Sequence, residues 1–357
     1  MKRFACFGTV LLATFAPTCL NDRDSLAVEA RRLPGLAETV VGRFERNPPL
    51  YYQMRVDRLK RGKELSLSEY NDLGVALDRL GRDDEAIAVM SQKWAKLVSP
   101  MPHDKEDVYT YHANMGTFLV HRWFHNGAKA GAIQEVKQAR DHIAKALAIN
   151  PNAHFGREKA QLQVMEWIID AKSDPAHAVP LGESVVGSNG ETIKGLQGLI
   201  VLGAAWESVD IYAAIFTLIK GQGETDHQAF VSYRIQELLA SGKRPMVPTP
   251  LDQPKVSPAR EVIDKKTYAE WRRNAEDYNL NRQGYMLGQL TKGLHPDTDP
   301  AFWSGYQETP KPKWPEVPFL QNSTNQFYLF IAGFLGFLVF IGTLYVRAQQ
   351  RAKLATP

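Results

Sequence analysis

Twenty consecutive residues, Phe327 to Val346, carry neither a charge nor a proline. Coiled as a helix at about 1.5 Å per residue, such a run reaches roughly 30 Å, the thickness of a bilayer's hydrocarbon core. In lipid a lone segment must satisfy its own backbone N–H and C=O groups, and a helix does so. Phe327, Tyr328 and Tyr345 stand at the two ends, where aromatic rings favour the membrane interface. Arg347, Arg351 and Lys353 follow at once, so the positive-inside rule places the C-terminus in the cytoplasm. The expectation is a single-pass anchor in the inner, cytoplasmic membrane over 327–346, with a basic cytoplasmic tail over 347–357. Ala332 and Gly336, four apart, offer a small-residue packing face.

The other end of the chain has a matching character. Met1, Lys2 and Arg3 precede an apolar run from Phe4 to Ala16, the layout of a secretory leader. Cleavage after Ala16, cleavage after Thr18, cleavage before a lipid-bearing Cys19 and retention as an uncleaved anchor all remain open. "FAPTC" is similar to a bacterial lipobox, with Thr18 where Gly or Ala is usual. Each version places 20–320 on the extracytoplasmic side. Cys6 and Cys19 are the two cysteines, so the exported part can build neither a disulfide framework nor a cysteine metal or haem site. The formal net charge is +4 and part of it belongs to the two ends, so the exported body is not strongly basic and nucleic acid is not an expected partner.

Between these ends the pattern is helical. Apolar residues recur at three and four spacing from 24 to 240, and sustained strand alternation is scarce, which predicts an all-α fold. Asp24 is placed to cap "SLAVEARRL", Pro49 to open a helix in "NPPLYYQMRVDRLKRG", and Ser66 with Glu69 to form a capping box. "GLQGLIVLGAAWESVDIYAAIFTLI" is apolar enough to suggest a second span, but Glu207 and Asp210 near its middle are too costly in lipid. It reads as two packed helices broken near "ESVD". The segment 174–190 reads as a loop.

Two stretches repeat. Tyr70-x2-Leu73-Gly74-x2-Leu77 is followed by Ala86 and Met90, and His112-x2-Met115-Gly116-x2-Leu119 is followed by Ala139, Ile143, Ala146 and Pro151. This pattern resembles the tetratricopeptide repeat, with the turn of the second copy lengthened through "HNGAKAGAIQEV". A rival register through Trp123 and Gly127 fails, because Asn126-Gly127 and Gly131 read as a turn. "NAHFGREKAQLQVMEWI" starts a weaker third unit. The repeats cover 66–173, degenerate helical units cover 174–241, and a helical segment over 20–65 precedes them. In the first copy Gly74 and Ala86 are expected to face each other across a tight helix pair, with Leu73, Leu77 and Met90 filling the seam. "GRFERNPPLYYQMRVDRL" also resembles the N-terminal part of uncharacterised membrane-anchored bacterial envelope proteins that carry such repeats, a resemblance that brings no chemistry.

The resemblance implies an α-solenoid whose concave face binds another envelope protein or peptide. The residues that fall on that face are Asn71, Val75 and Asp78, then Ala113, Thr117 and Val120, then Glu158 and Leu162. The Lys/Asn/Arg clamp by which one subclass holds a terminal carboxylate is absent. Either a partner or the chain's own residues 24–60 fill the groove. The alternative class is a metal-dependent enzyme on His121 and His125, one helical turn apart. Arg122 stands where the general base of "HExxH" would be, and His112 lies on nearly the opposite face. Asp297 and Asp299 read as turn chemistry. No nucleophile elbow, phosphate loop or haem motif appears, so the expectation is a non-enzymatic protein without a cofactor or metal.

Towards the membrane, a Pro-rich linker over 242–263 precedes an aromatic stripe on one long helix over 264–294: Tyr268, Trp271, Ala275, Tyr278, Arg282 and Tyr285. That stripe is expected to pack on its own domain as the cap an array needs. A stiff Pro-rich spacer over 295–326 then leads to the membrane run.

Overall fold

Residues 20–30, 33–61, 64–98, 104–151, 156–187, 189–220, 225–248, 264–315 and 323–354 are described by the computed structural model of the chain. The leader, with Cys19, and residues 249–263 of the linker lie outside them. Among the described residues the secondary structure is all helical, with fourteen α-helices and no strand. They are α1 (Arg23–Ala30), α2 (Leu36–Val41), α3 (Pro49–Lys60), α4 (Leu67–Arg79), α5 (Asp83–Leu97), α6 (Lys105–His125), α7 (Ile133–Ile149) and α8 (Arg157–Ser173). There follow α9 (Leu181–Ser184), α10 (Asn189–Val201), α11 (Val209–Lys220), α12 (Thr225–Ala240), α13 (Lys265–Leu290) and α14 (Ser323–Leu354).

Local chemistry sets several of these boundaries. Ser66 Oγ accepts from the Glu69 amide at 3.3 Å while the Glu69 carboxylate accepts from the Ser66 amide at 2.9 Å, the reciprocal capping box that starts α4. Asp104 and Asp264 cap α6 and α13 by accepting from the Glu106 and Thr267 amides. At α1 the expected cap is corrected. Asp22, not Asp24, accepts from the Ser25 amide and hydroxyl, both at 2.9 Å, and Asp24 is freed for another role. The break near "ESVD" is present: α10 ends at Val201, a short 3-10 turn covers Ala205–Glu207, and α11 starts at Val209. Buried Asp210 accepts from the Met246 amide, and that burial pushes its carboxyl up to about 6.

Consecutive helices from α3 to α8 pack as neighbours, and α6 also meets α4. α6 is buried on every side from Tyr109 to His121, so it lies at the centre of this array. Gly74 and Gly116 permit the close approaches. A Cβ on Gly74 would stand 2.9 Å from the Met90 methyl and 3.0 Å from the Phe118 ring, and one on Gly116 would stand 2.8 Å from the Ala139 carbonyl oxygen. The nearest side chains to Gly74 are therefore Met90 and Phe118. The longer side chain of Met90 fills the space because Gly74 leaves it. Farther along, α8 meets α10, α9 meets α11, α11 meets α12, and α2 meets both α10 and α12.

α13 lies on α2, α3 and α12. It buries Tyr268, Trp271, Ala275, Tyr278, Arg282, Met286 and Leu290, the predicted stripe extended by a turn, with Tyr285 half-buried. Its polar anchors are specific. Tyr268 donates to Glu237 at 2.6 Å, and Arg282 donates to the Arg46 carbonyl and to Asn47, both at 3.0 Å. The described residues from 20 to 312 belong to one compact body. α14 belongs to a separate unit. Its stretch Phe327–Leu344 has a mean hydropathy of 2.3 and none of it is buried in protein, so this helix is long and apolar enough to cross a membrane.

Candidate functional site

A cavity of about 820 Å³ opens where the N-terminal segment, α3, α4, the end of α10, α13 and the loop after α13 converge. One wall is Asp22, Arg23 and Asp24, another Tyr51 and Tyr52 with Val75 and Arg79, and a third Tyr278, Arg282 and Asp297. Arg55 stands beside it, fully buried. Its guanidinium donates to Asp297 at 2.7 and 2.8 Å, to Asp24 at 3.0 and 3.1 Å and to Asp22 at 3.2 Å. Tyr51, one turn earlier on α3, donates to Asp24 at 2.8 Å and is also bonded by Arg55. One planar cation thus ties the N-terminal segment and α3 to Asp297, 242 residues beyond Arg55.

The electrostatics follow from crowding. Burial and then the neighbouring Asp24 push the Asp22 carboxyl up to about 6. Burial works the same way on Asp297, but the hydrogen bonds and charge of Arg55 outweigh it and hold that carboxyl down at about 2. Arg58 donates to Asp297 as well, at 2.6 Å. Burial first, then Asp24, raises the Tyr51 phenol far above its ordinary value, so it stays a donor.

Behind this cluster the array holds residues 20–23. Leu20 is fully buried. The Asn114 side chain bonds both sides of Asn21's backbone: Oδ1 accepts from its amide at 2.8 Å and Nδ2 donates to its carbonyl at 2.9 Å. Asp72 accepts from the Arg23 amide at 3.1 Å and from its Nε at 2.7 Å. Arg157 donates to the Asn21 side-chain oxygen at 3.3 Å. Asn71 on α4 accepts from Lys93 at 2.9 Å and from Asn114 at 3.4 Å, linking the Asn114 clamp to a buried lysine. Burial lowers that lysine's pKa to about 8.

The predicted face residues are distributed through this interior. Asn71 and Val75 border cavities that share Asp22 and Arg23 as lining, Val75 the large one and Asn71 a smaller one of about 260 Å³. Asp78 lies 2.6 Å from His121 Nδ1. Thr117 accepts from Gln161 at 3.1 Å, and Glu158 accepts from Tyr109 at 2.9 Å. Val120 and Ala113 are core residues, and Leu162 is half-buried. The structure therefore brings Asn71 and Val75 to the segment and gives Asp78, Thr117 and Glu158 polar partners within the body. It adds Asn114, Asp72, Arg157, Arg55, Asp22 and Asp297, which sequence reasoning missed. Asp297 lies in a turn, as read, closed by the Thr298 and Asp299 amides on the His295 carbonyl, but its carboxylate reaches out of that turn to Arg55. Asp299 accepts from the Ala301 amide at 2.9 Å.

His121 and His125 each have Nδ1 directed at an aspartate, at 2.6 Å to Asp78 and 2.7 Å to Asp83, with ring centroids 6.2 Å apart. The hydrogen bond and charge of Asp83 raise the pKa of His125 against its partial burial. Among the described residues no group of three or more His, Cys, Asp or Glu is arranged to hold a metal ion. His112 turns the other way and sets its Nδ1 2.9 Å from that of His142. Comparison with protein-family models, with curated proteins and with solved structures returns no match to the chain.

Proposed function

We propose that the chain is a membrane-tethered binding scaffold of the cell envelope. In this reading α14 is the single-pass anchor, the body lies on the extracytoplasmic side, and the basic tail is cytoplasmic. The helices from α4 to α8 act as a tetratricopeptide-like array that takes an extended segment of a partner protein. The observation that carries the reading is the hold on residues 20–23. Asn114 and Asp72 bond the backbone of Asn21 and Arg23 rather than side chains alone, and that chemistry suits polypeptide ligands in general. A photo-crosslinking residue in place of exposed Ser68, which borders the smaller cavity, tests it in native membranes. The reading expects an adduct with a second protein, and adducts confined to the chain itself overturn it.

The alternative, a metal-dependent enzyme on His121 and His125, has one observation in its favour. Two imidazoles one turn apart have their Nδ1 atoms oriented by carboxylates, the outer-sphere arrangement of many metal-binding histidines. Stoichiometric zinc in the purified protein supports the enzyme, and its absence after zinc loading removes it.

A further inference from the structure

We infer that residues Leu20 to Ser25 are a built-in occupant of the groove, displaced when a partner presents a peptide with an apolar residue, a carboxamide, a carboxylate and a basic residue in that order. The inference rests on the binding reading above and specifies its ligand. Each position has its reader. Leu20 is fully enclosed. The Asn21 side chain accepts from Arg157, the Asp22 carboxylate meets Arg55, and the Arg23 guanidinium meets Asp72. Asn114 and Asp72 hold the intervening backbone, which any peptide can offer.

Three observations make the segment a replaceable ligand rather than a permanent wall. Its fit is imperfect: the buried Asn21 Nδ2 has no hydrogen-bond partner in the protein, a defect that costs free energy and that an incoming side chain can avoid. The ionised Asp22 sits beside Asp24 and near Asp72 as well as Arg55, so its charge is only partly rewarded. Open space borders the segment in two cavities, of about 820 and 260 Å³, that both include Asp22 and Arg23 in their walls. An entering peptide exchanges like bonds for like, so displacement needs no refolding of the array.

A labelled peptide of residues 20–25, blocked at both ends, is the probe, added to the full-length protein in detergent. The double variant Asn21→Ala/Arg23→Ala loses the side-chain bonds to Arg157 and Asp72 and so loosens the internal segment. It is expected to bind the peptide about tenfold or more tightly than the unaltered protein. Adding Asn114→Ala to that variant is expected to abolish binding, and a scrambled peptide is expected not to bind. Absence of peptide binding to a loosened variant of unchanged helicity overturns the inference. Should that variant misfold, hydrogen exchange on the unaltered protein decides. Excess peptide is expected to speed exchange at the Asn21 and Arg23 amides while leaving the α4 and α6 amides unchanged, and no acceleration overturns the inference. If the peptide fails while Ser68 still crosslinks a second protein, only the displaced-segment idea falls. If both fail, the binding reading falls with it.

Discussion

Arg55 is a residue whose loss the fold should tolerate poorly. Its side chain is fully buried, and Asp22, Asp24 and Asp297 all direct carboxylate oxygens at it. Replacing it with Met keeps the bulk and removes the cation, leaving buried carboxylates uncompensated. Breaking a buried pair from one side costs about 3–5 kcal/mol, so the unfolding free energy of Arg55→Met from urea titration should fall by that amount, and a loss below about 1 kcal/mol contradicts the network. The two seam glycines make a sharper contrast. A methyl on Gly116 meets the rigid Ala139 carbonyl, whereas one on Gly74 meets first the flexible end of Met90. Overpacking costs about 1–3 kcal/mol, and Gly116→Ala should fall at the upper end with Gly74→Ala well below it. Equal costs in thermal denaturation refute the assigned contacts. At this scale the sequence was least legible. Local spacing announces Ser66 and Glu69 because a cap joins residues three apart, but nothing near "YQMRVDRL" announces that Arg55 meets Asp297, 242 positions away. Asp297 sits in the turn its neighbours announce, but the remote partners of its carboxylate leave no local signal.

At the scale of elements, periodicity was a good guide wherever one face of a helix is buried. The α13 stripe from Tyr268 to Arg282 repeats at three and four, and those residues are the buried ones. α6 shows the opposite case. Its polar residues are as buried as its apolar ones, so its pattern gives no face, and Asn114 was passed over in favour of its neighbours. The α6–α7 contact also carries a pH dependence. His112 and His142 meet through their Nδ1 atoms, beside Trp94 and Tyr111. Burial first, then nearby positive charge, lowers both from 6.5 to about 4. The folded pKa lies below the unfolded one, so the unfolded chain binds protons first as pH falls. Stability from this pair is present above about pH 6.5 and is lost towards pH 4. Asp22 and Asp210, whose pKa values are raised, shift the balance the opposite way. They do so equally in wild type and His142→Asn, and the comparison cancels them. The melting temperature should fall more between pH 7 and pH 5 in the wild type than in His142→Asn, and parallel profiles exclude the pair as the cause.

At the scale of the molecule, two features were legible for different reasons. The helical body announced itself through repeated spacing, and α14 through twenty residues without a charge. What the sequence left open was the occupant of the expected groove, because a partner and the chain's own residues 24–60 offer the same chemistry. The structure shows Asn21 held by Asn114 and Arg23 held by Asp72. A scaffold that recruits an envelope partner requires its body outside the cytoplasm and its tail within. Protease added to sealed, right-side-out membrane vesicles carrying the full chain measures this directly. The account predicts digestion of the helical body and survival of a small fragment that contains Phe327 to Val346 and the basic tail. A protected body with a digested tail contradicts it.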